Sequence, residues 1–329
     1  MPDVAATNLE HQIRSQPDAL AALLGSADVR RQVHEAAEGL HRARRLWVVG
    51  TGTSLHAAEL GASLIQLSGR QAHAVPAMEF VDFAPLVGPQ DGIVVITHTA
   101  ETAFALSTRA QAFSAGLGPV LITKRGSGFP DAIETVDKET SETYTVSFTT
   151  AVLAVALLAR ALGAENLDDA TLSRVPVAVA AAIADPSIDA IARPERVLVF
   201  VGAGPSAVTA REGALKVREA SRSLAEGYDA EYLLHGSAVP LDARDGVVAL
   251  FPPDPSGLVE AVARAAEAER VHVTRLTEPA DLPQTLAQLP LTVRLQLMAL
   301  RFARERSQDP DTVIVGAWND PATWAIGAP

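Results

Sequence analysis

The chain carries one local pattern twice. An apolar run, LWVVG, breaks at Gly50-Thr-Gly52-Thr-Ser54 into the Ala-rich segment LHAAELGASLIQL, and RVLVFVG breaks at Gly202-Ala-Gly204-Pro-Ser206 into a second helix-forming stretch, an offset of 152 residues between Gly50 and Gly202. A β-branched run feeding a glycine turn and then strong helix formers predicts strand, tight turn and helix in each copy. An interval this long is too large for a solenoid repeat and suits two tandem domains. GIVVIT (92–97), a helix over ETAFALSTRAQAFSAG closed by Gly116, and PVLIT (119–123) continue the alternation. GVVALF, a helix over 257–269, VHVTRL and a helix over 291–307 continue it in the second half. Strands alternating with helices of this length need crossover connections, which make the sheets parallel and the fold class α/β. Two Ala-rich helices, 149–163 and 168–184, lead into DPSIDAIARPE, whose two prolines and three acids mark a boundary. The expected domains are 1–184, with N-terminal helices ahead of the first sheet, and 185–329.

At 48% hydrophobic and 20% charged, 329 residues suffice for two cores. The formal charge of −12 gives no general attraction for nucleic acid or an anionic membrane, so neither is an expected partner. Cysteine is absent, which removes disulfides and zinc–thiolate sites and agrees with a reducing compartment. The charged opening MPDVAATNLEHQIRSQP lacks the apolar core of a secretion signal, and no apolar stretch is long enough to span a bilayer. A cytoplasmic location is expected. Amphipathic helices fill the first forty residues, and the basic cluster His41 to Arg45 reads as a solvated helix end.

The glycine turns fall short of a dinucleotide fingerprint. Leu55 and Ala207 stand in the place of its third glycine, and neither half offers a ribose-binding acid after a following strand. The first turn instead places Thr53 and Ser54 at a helix start, where backbone N–H groups and the helix dipole favour an anion; capping by Ser54 accounts for the same residues. THTAET (97–102) repeats the situation at the end of a neighbouring strand candidate, with a threonine cap and a capping-box Glu101 as the structural alternative. In the second half, Glu212, Lys216 and Glu219 are spaced by four and three, on one helix face, as an exposed ion-pair stripe would be.

These residues carry a family resemblance. GTGTSLHAA (50–58) resembles the first turn of sugar isomerase (SIS) domains, THTAET their serine-rich phosphate loop, and TVSFTT (145–150) the Thr/Ser segment opening a later helix. EGALKVREASRSLAEGYDAEYLLHG (212–236) resembles, without a gap, the catalytic stretch of the isomerase half of glucosamine-6-phosphate synthase, and VRLQLMALRFARERSQDPD (293–311) the family's closing helix. The resemblance implies two tandem SIS domains, each a parallel-sheet three-layer sandwich of flavodoxin-like type, in a homodimer that binds a phosphorylated sugar or amino sugar and needs no cofactor or metal. It assigns phosphate and substrate contacts to Thr53, Ser54, Thr97, His98, Thr99, Thr102, Thr145 and Ser147. It makes Glu219 the carbon-proton shuttle and His235 the group assisting ring opening, and Lys216 completes the expected catalytic set. The chemistry requires such groups, because moving a carbonyl between adjacent carbons passes through an enediol or enolamine.

The departures set further expectations. His98 and Ala100 replace a small polar residue and a glycine of the phosphate loop, and an alanine disfavouring positive φ predicts a reshaped loop. Without cysteine the chain cannot hydrolyse glutamine by the thiol route, so complete synthase activity and a glutaminase half are not expected. Residues 301–329 contain no lysine, and only Lys124, Lys138 and Lys216 could form a covalent imine. The expected function is aldose–ketose isomerisation or amino-sugar-phosphate deamination/deglycation, with a catalytically weakened sugar-phosphate-binding regulator as the alternative and a nucleotide-dependent oxidoreductase disfavoured by the incomplete fingerprints.

Overall fold

A computed structural model describes residues 6–83, 87–251, 254–277 and 281–326. Met1 to Ala5, where the segment examined for a secretion signal begins, and the last three tail residues lie outside them. The chain runs α1 (Asn8–Gly25), α2 (Ala27–Leu40), β1 (Arg45–Gly50), α3 (Thr53–Gln66), β2 (Gln71–Pro76), α4 (Ala77–Asp82), β3 (Asp91–Ile96), α5 (Ala103–Ser114), β4 (Val120–Thr123), β5 (Ala132–Glu134), α6 (Val146–Ala161) and α7 (Asp169–Ala184). It continues with β6 (Leu198–Gly202), α8 (Pro205–Ser221), β7 (Ala225–Asp229), α9 (Ala230–Tyr232), β8 (Gly246–Phe251), α10 (Leu258–Ala268), β9 (His272–Thr277), α11 (Gln288–Glu305) and α12 (Pro321–Ala325).

Two wholly parallel sheets result, with strand orders β2-β1-β3-β4-β5 and β7-β6-β8-β9. The first follows the flavodoxin-like order, and the second repeats its first four positions. All six residues of β3 are buried, as a sheet covered on both faces requires. Val49, Ile93, Val95 and Leu121 pack with Phe80 of α4 and Ala105 and Ala112 of α5, while α3 and α6 pack together on the other side. In the second sheet Val199, Val201, Val247 and Ala249 pack with α9 and α10 residues such as Ala230, Val259 and Val262. Each sheet is thus the middle of three layers.

The duplication extends to single contacts. Arg45 at the start of β1 holds Asp91 at the start of β3 through two hydrogen bonds of 2.6 and 2.8 Å, and Arg196 ahead of β6 holds Asp245 ahead of β8 through bonds of 2.9 and 2.6 Å. Gly61 of α3 lies against Val155 of α6, and Gly213 of α8, at the same offset as the glycine turns, lies against Leu295 of α11. A Cβ on Gly213 would stand 2.4 Å from that leucine, so glycine sets how closely α8 and α11 approach.

Two compact units emerge. One comprises Ser15–Glu139, Val146–Pro176 and Ile314–Pro329 around the first sheet, and the other Met1–Arg14, Thr140–Thr145 and Val177–Val313 around the second. The sheets fall on either side of residue 185, while short segments of chain are exchanged between the units. No helix among the described residues is long and apolar enough to cross a membrane.

Candidate functional site

The first sheet changes winding direction at its β1–β3 pair: the chain moves from β1 outward to β2, then returns to β3 and proceeds the other way. The crevice beyond the carboxyl ends of such a pair is where open α/β sheets bind ligands. Both strands end there in hydroxyl-rich turns. Gly50 is closed to any side chain, since a Cβ would meet the Ser54 carbonyl oxygen at 2.3 Å, and Gly52 holds φ +57° as N-cap of α3. A glycine N-cap has no side chain to offer the first helical amides, so Ser54 lies inside the helix and does not cap it. Thr102 is the N-cap of α5, also without a side-chain cap bond. Two uncapped helix starts therefore face one switch point, with Thr53, Ser54, Thr97, Thr99 and Thr102 around them.

The THTAET loop keeps the glycine-like conformation that its sequence argues against. Ala100 adopts φ +57°, a positive value that an alanine is expected to avoid, and carries the strain of it. His98 explains how. Its carbonyl accepts from the Thr123 hydroxyl at 3.1 Å and the Lys124 N–H at 3.0 Å, and its ring Nε2 accepts from the Glu139 N–H at 3.0 Å. Accepting at Nε2 places the neutral ring's proton on Nδ1. Burial, assisted by the charges of Lys124 and Lys138, pushes the imidazole down to about 4, so His98 is neutral near pH 7 and brings no positive charge to an anion. The Thr97 and Thr102 hydroxyls stand 3.5 Å apart, and Glu101 N–H donates to the Thr99 hydroxyl at 3.2 Å. Glu101 precedes the N-cap and forms no capping box; its carboxylate meets Lys138 Nζ at 2.8 and 2.9 Å and Lys124 Nζ at 3.8 Å.

Thr145 and Ser147 lie at the start of α6, both buried. The Ser147 N–H donates to the Glu139 carboxylate at 2.8 Å, so a protein anion already occupies that amide. Glu139 thereby ties the loop, through the His98 ring, to the start of α6. Sequence reading missed Thr123, Lys124, Lys138 and Glu139 as supports of this loop; the one available signal was that two of the three lysines fall here.

In the second-sheet unit the equivalent turn is different. Gly204 is the N-cap of α8, Pro205 removes the first amide, and the Ser206 hydroxyl turns back to accept from the Ala203 N–H at 2.8 Å. The candidate catalytic residues Glu219 and Lys216 lie along α8. The expected exposed stripe is buried: Lys216 and Glu212 have no exposed side-chain surface, and Nζ lies 2.5 Å from Glu219 and 3.4 Å from Glu212. The α8 face turns inward because α11 packs on it. Desolvation raises the proton affinity of Glu219 above the ordinary carboxylate range despite the Lys216 charge. His235 sits in a π-helical turn, Leu233–Ser237, that Gly236 permits with φ +115°; its Nδ1 lies 2.8 Å from the Glu231 carbonyl and the side chain is exposed.

Parallel sheets wound as 2-1-3-4, with glycine turns at the switch point, match a known class. Residues 39–162 match the family model of the SIS domain. The chain is 30% identical over 340 aligned positions to the glutamine–fructose-6-phosphate aminotransferase (isomerizing) of Thermococcus kodakarensis, covering 91% of this chain and 55% of that protein. The corresponding protein of Methanothermobacter thermautotrophicus is 28% identical over 327 positions, with the same coverages. The chain thus spans about half the length of these relatives. Its fold is shared by tagatose-6-phosphate ketose/aldose isomerase from Escherichia coli, with TM-score 0.81 and 19% identity over 97% of this chain and 100% of that one. The C-terminal domain of glucosamine-fructose-6-phosphate aminotransferase from Francisella tularensis shares it with TM-score 0.77 and 23% identity over 95% and 99%. Glucosamine-6-phosphate deaminase from Thermotoga maritima follows with TM-score 0.74 and 18% identity over 93% and 97%.

Proposed function

We propose that this protein is a cytoplasmic phosphosugar enzyme with two tandem SIS domains, divided near residues 184 and 185. It holds the phosphate of a sugar or amino sugar at the hydroxyl turns after β1 and β3. It catalyses aldose–ketose isomerisation or deamination/deglycation, a reading supported by relatives that are an isomerizing aminotransferase, a ketose/aldose isomerase and a deaminase. The observation that carries this reading is Glu219: a half-buried carboxylate whose proton affinity is raised by desolvation, beside a buried ammonium, is suited to take and return a carbon-bound proton. Lys216 balances the charge of Glu219 and Glu212, and His235 assists ring opening. The test is solvent deuterium incorporation at C1 or C2, followed by NMR, on hexose, hexosamine and ketose-amine 6-phosphates that raise the melting temperature. Exchange in wild type with loss in Glu219→Gln is expected, as is a slowing of cyclic substrates beyond open-chain analogues in His235→Asn. A wild type that binds such a ligand without exchange would leave a sugar-phosphate-binding regulator.

A homodimer belongs to the same proposal. Thirteen α6 residues and twelve α8 residues are buried inside the chain. Exposed apolar side chains flank His235 in sequence: Tyr232 at 66%, Leu234 at 49% and Val239 at 85%. Sedimentation should give about twice the 34.5 kDa chain mass, and a strict monomer with full activity would remove this part.

A further inference from the structure

Lysine is scarce here: Lys and Arg total 27, and only Lys124, Lys138 and Lys216 are lysine. Lys216 is buried on α8, and both others converge on one carboxylate, Glu101, in the loop between Thr99 and the start of α5. They reach it from different elements, Lys124 from the end of β4 and Lys138 from the segment after β5. Two-pronged pairs elsewhere use arginine: Arg45 with Asp91, Arg109 with Asp131, and Arg196 with Asp245. A guanidinium fork locks one geometry, whereas an ammonium is a point charge on a flexible stem that can change partners.

From this arrangement we infer that Lys138 and Lys124 are the charge-selecting residues of the hydroxyl loop, parked on Glu101 until the dianionic phosphate of a ligand draws them off the carboxylate. The inference rests on the phosphate reading of that loop. The ion pair is open to water, with Lys138 at 47% and Glu101 at 61% side-chain exposure, where such pairs hold weakly and exchange readily. The loop does not depend on it, because the Thr123 hydroxyl and the Lys124 and Glu139 amides already fix His98. Glu101 presents two oxygens to Lys138, as a phosphate would, but carries half the charge of a dianion. The functional consequence is selection for phosphorylated ligands over their neutral parents.

Calorimetry with inorganic phosphate, a hexose 6-phosphate and the unphosphorylated hexose tests this on wild type, Lys138→Gln, Lys124→Gln and Glu101→Gln. Lys138→Gln should weaken both phosphate-bearing ligands about five- to ten-fold, and Lys124→Gln should weaken them less. Glu101→Gln, by freeing both lysines, should tighten them several-fold with its ligand-free melting temperature unchanged, and the neutral hexose should be insensitive throughout. Weakening in Glu101→Gln together with a lower melting temperature assigns the pair a structural role and overturns the inference, as does unchanged affinity in Lys138→Gln. A wild type that binds none of the phosphate-bearing ligands overturns the phosphate reading itself, an outcome distinct from either.

Discussion

Lys216 Nζ lies 2.5 Å from the Glu219 carboxylate and 3.4 Å from that of Glu212, all on one buried face of α8. Burial strips much of the water from this cluster, and desolvation raises the proton affinity of Glu219 above the ordinary carboxylate range despite the Lys216 charge. Glu219→Gln should lower isotope exchange by about 10² to 10⁴ while ligand binding persists. The acid limb of wild-type kcat/KM should lie above the usual glutamate range. The folded chain binds this proton more tightly than the unfolded chain, so the associated stability is complete below the unfolded pKa and declines as pH rises through the raised one. Glu219→Gln cannot ionise there, and its stability relative to wild type should improve across that window in denaturant titrations. A pH-independent difference would count against the buried carboxylate.

The hydroxyl turns make a second prediction. Thr97→Val and Ser54→Ala should each weaken sugar-phosphate binding by about ten- to a hundred-fold, the range for a hydrogen bond to a charged group. Ser206→Ala is the control, because the repeat positions it like Ser54 while its hydroxyl is spent on Ala203. Equal effects of Ser54→Ala and Ser206→Ala on binding would move the anion away from the first switch point.

Much of this architecture is legible in the sequence because central strands such as GIVVI are continuous apolar runs that glycine turns bring to an end. The edge strands escape such reading. β2, QAHAVP, and β7, AEGYD, are partly exposed along one side and lack an apolar run, and three-residue β5 is too short to show periodicity. The turns announced Thr53, Ser54 and the threonines of 97–102 through residue type alone. The burial of Lys216 depends on where α11 lands, and the support of His98 by Glu139 joins residues 41 apart, so neither leaves a local signature.

Backbone strain supplies a prediction with both signs. Ala100 at φ +57° pays the left-handed penalty of about 1 to 2 kcal/mol, and Ala100→Gly relieves it at the cost of about 0.4 to 1 kcal/mol in unfolded-chain entropy. A net gain of roughly 0.5 to 1 kcal/mol should raise the melting temperature by roughly 1 to 3 °C. Gly52→Ala, with open space around its Cβ, should lose only the conformational term of about 1 to 3 kcal/mol for a φ/ψ pair that L residues avoid. Gly50→Ala drives a methyl into the Ser54 backbone and should cost more than about 3 kcal/mol. Similar melting temperatures for the two glycine variants would contradict this turn geometry.

His98 supplies the clearest pH dependence. Its pKa falls from 6.5 to about 4 through burial and the charges of Lys124 and Lys138. A group with a depressed folded-state pKa gives its full stabilisation above the unfolded value and loses it as pH falls toward the folded one. The chain should therefore lose stability between about pH 6.5 and 4, by roughly 3 kcal/mol at most from this residue. Protonation would also turn Nε2 from acceptor to donor and break its bond from the Glu139 N–H. His98→Gln offers a side-chain acceptor without the titration, so its stability should be flatter over that range, with the largest difference from wild type near the acid end. Nitrogen-15 shifts of the ring should identify the Nδ1–H tautomer at pH 7. An ordinary pKa near 6.5, or the Nε2–H tautomer, would show that His98 does not hold the 97–102 loop to the Glu139 amide.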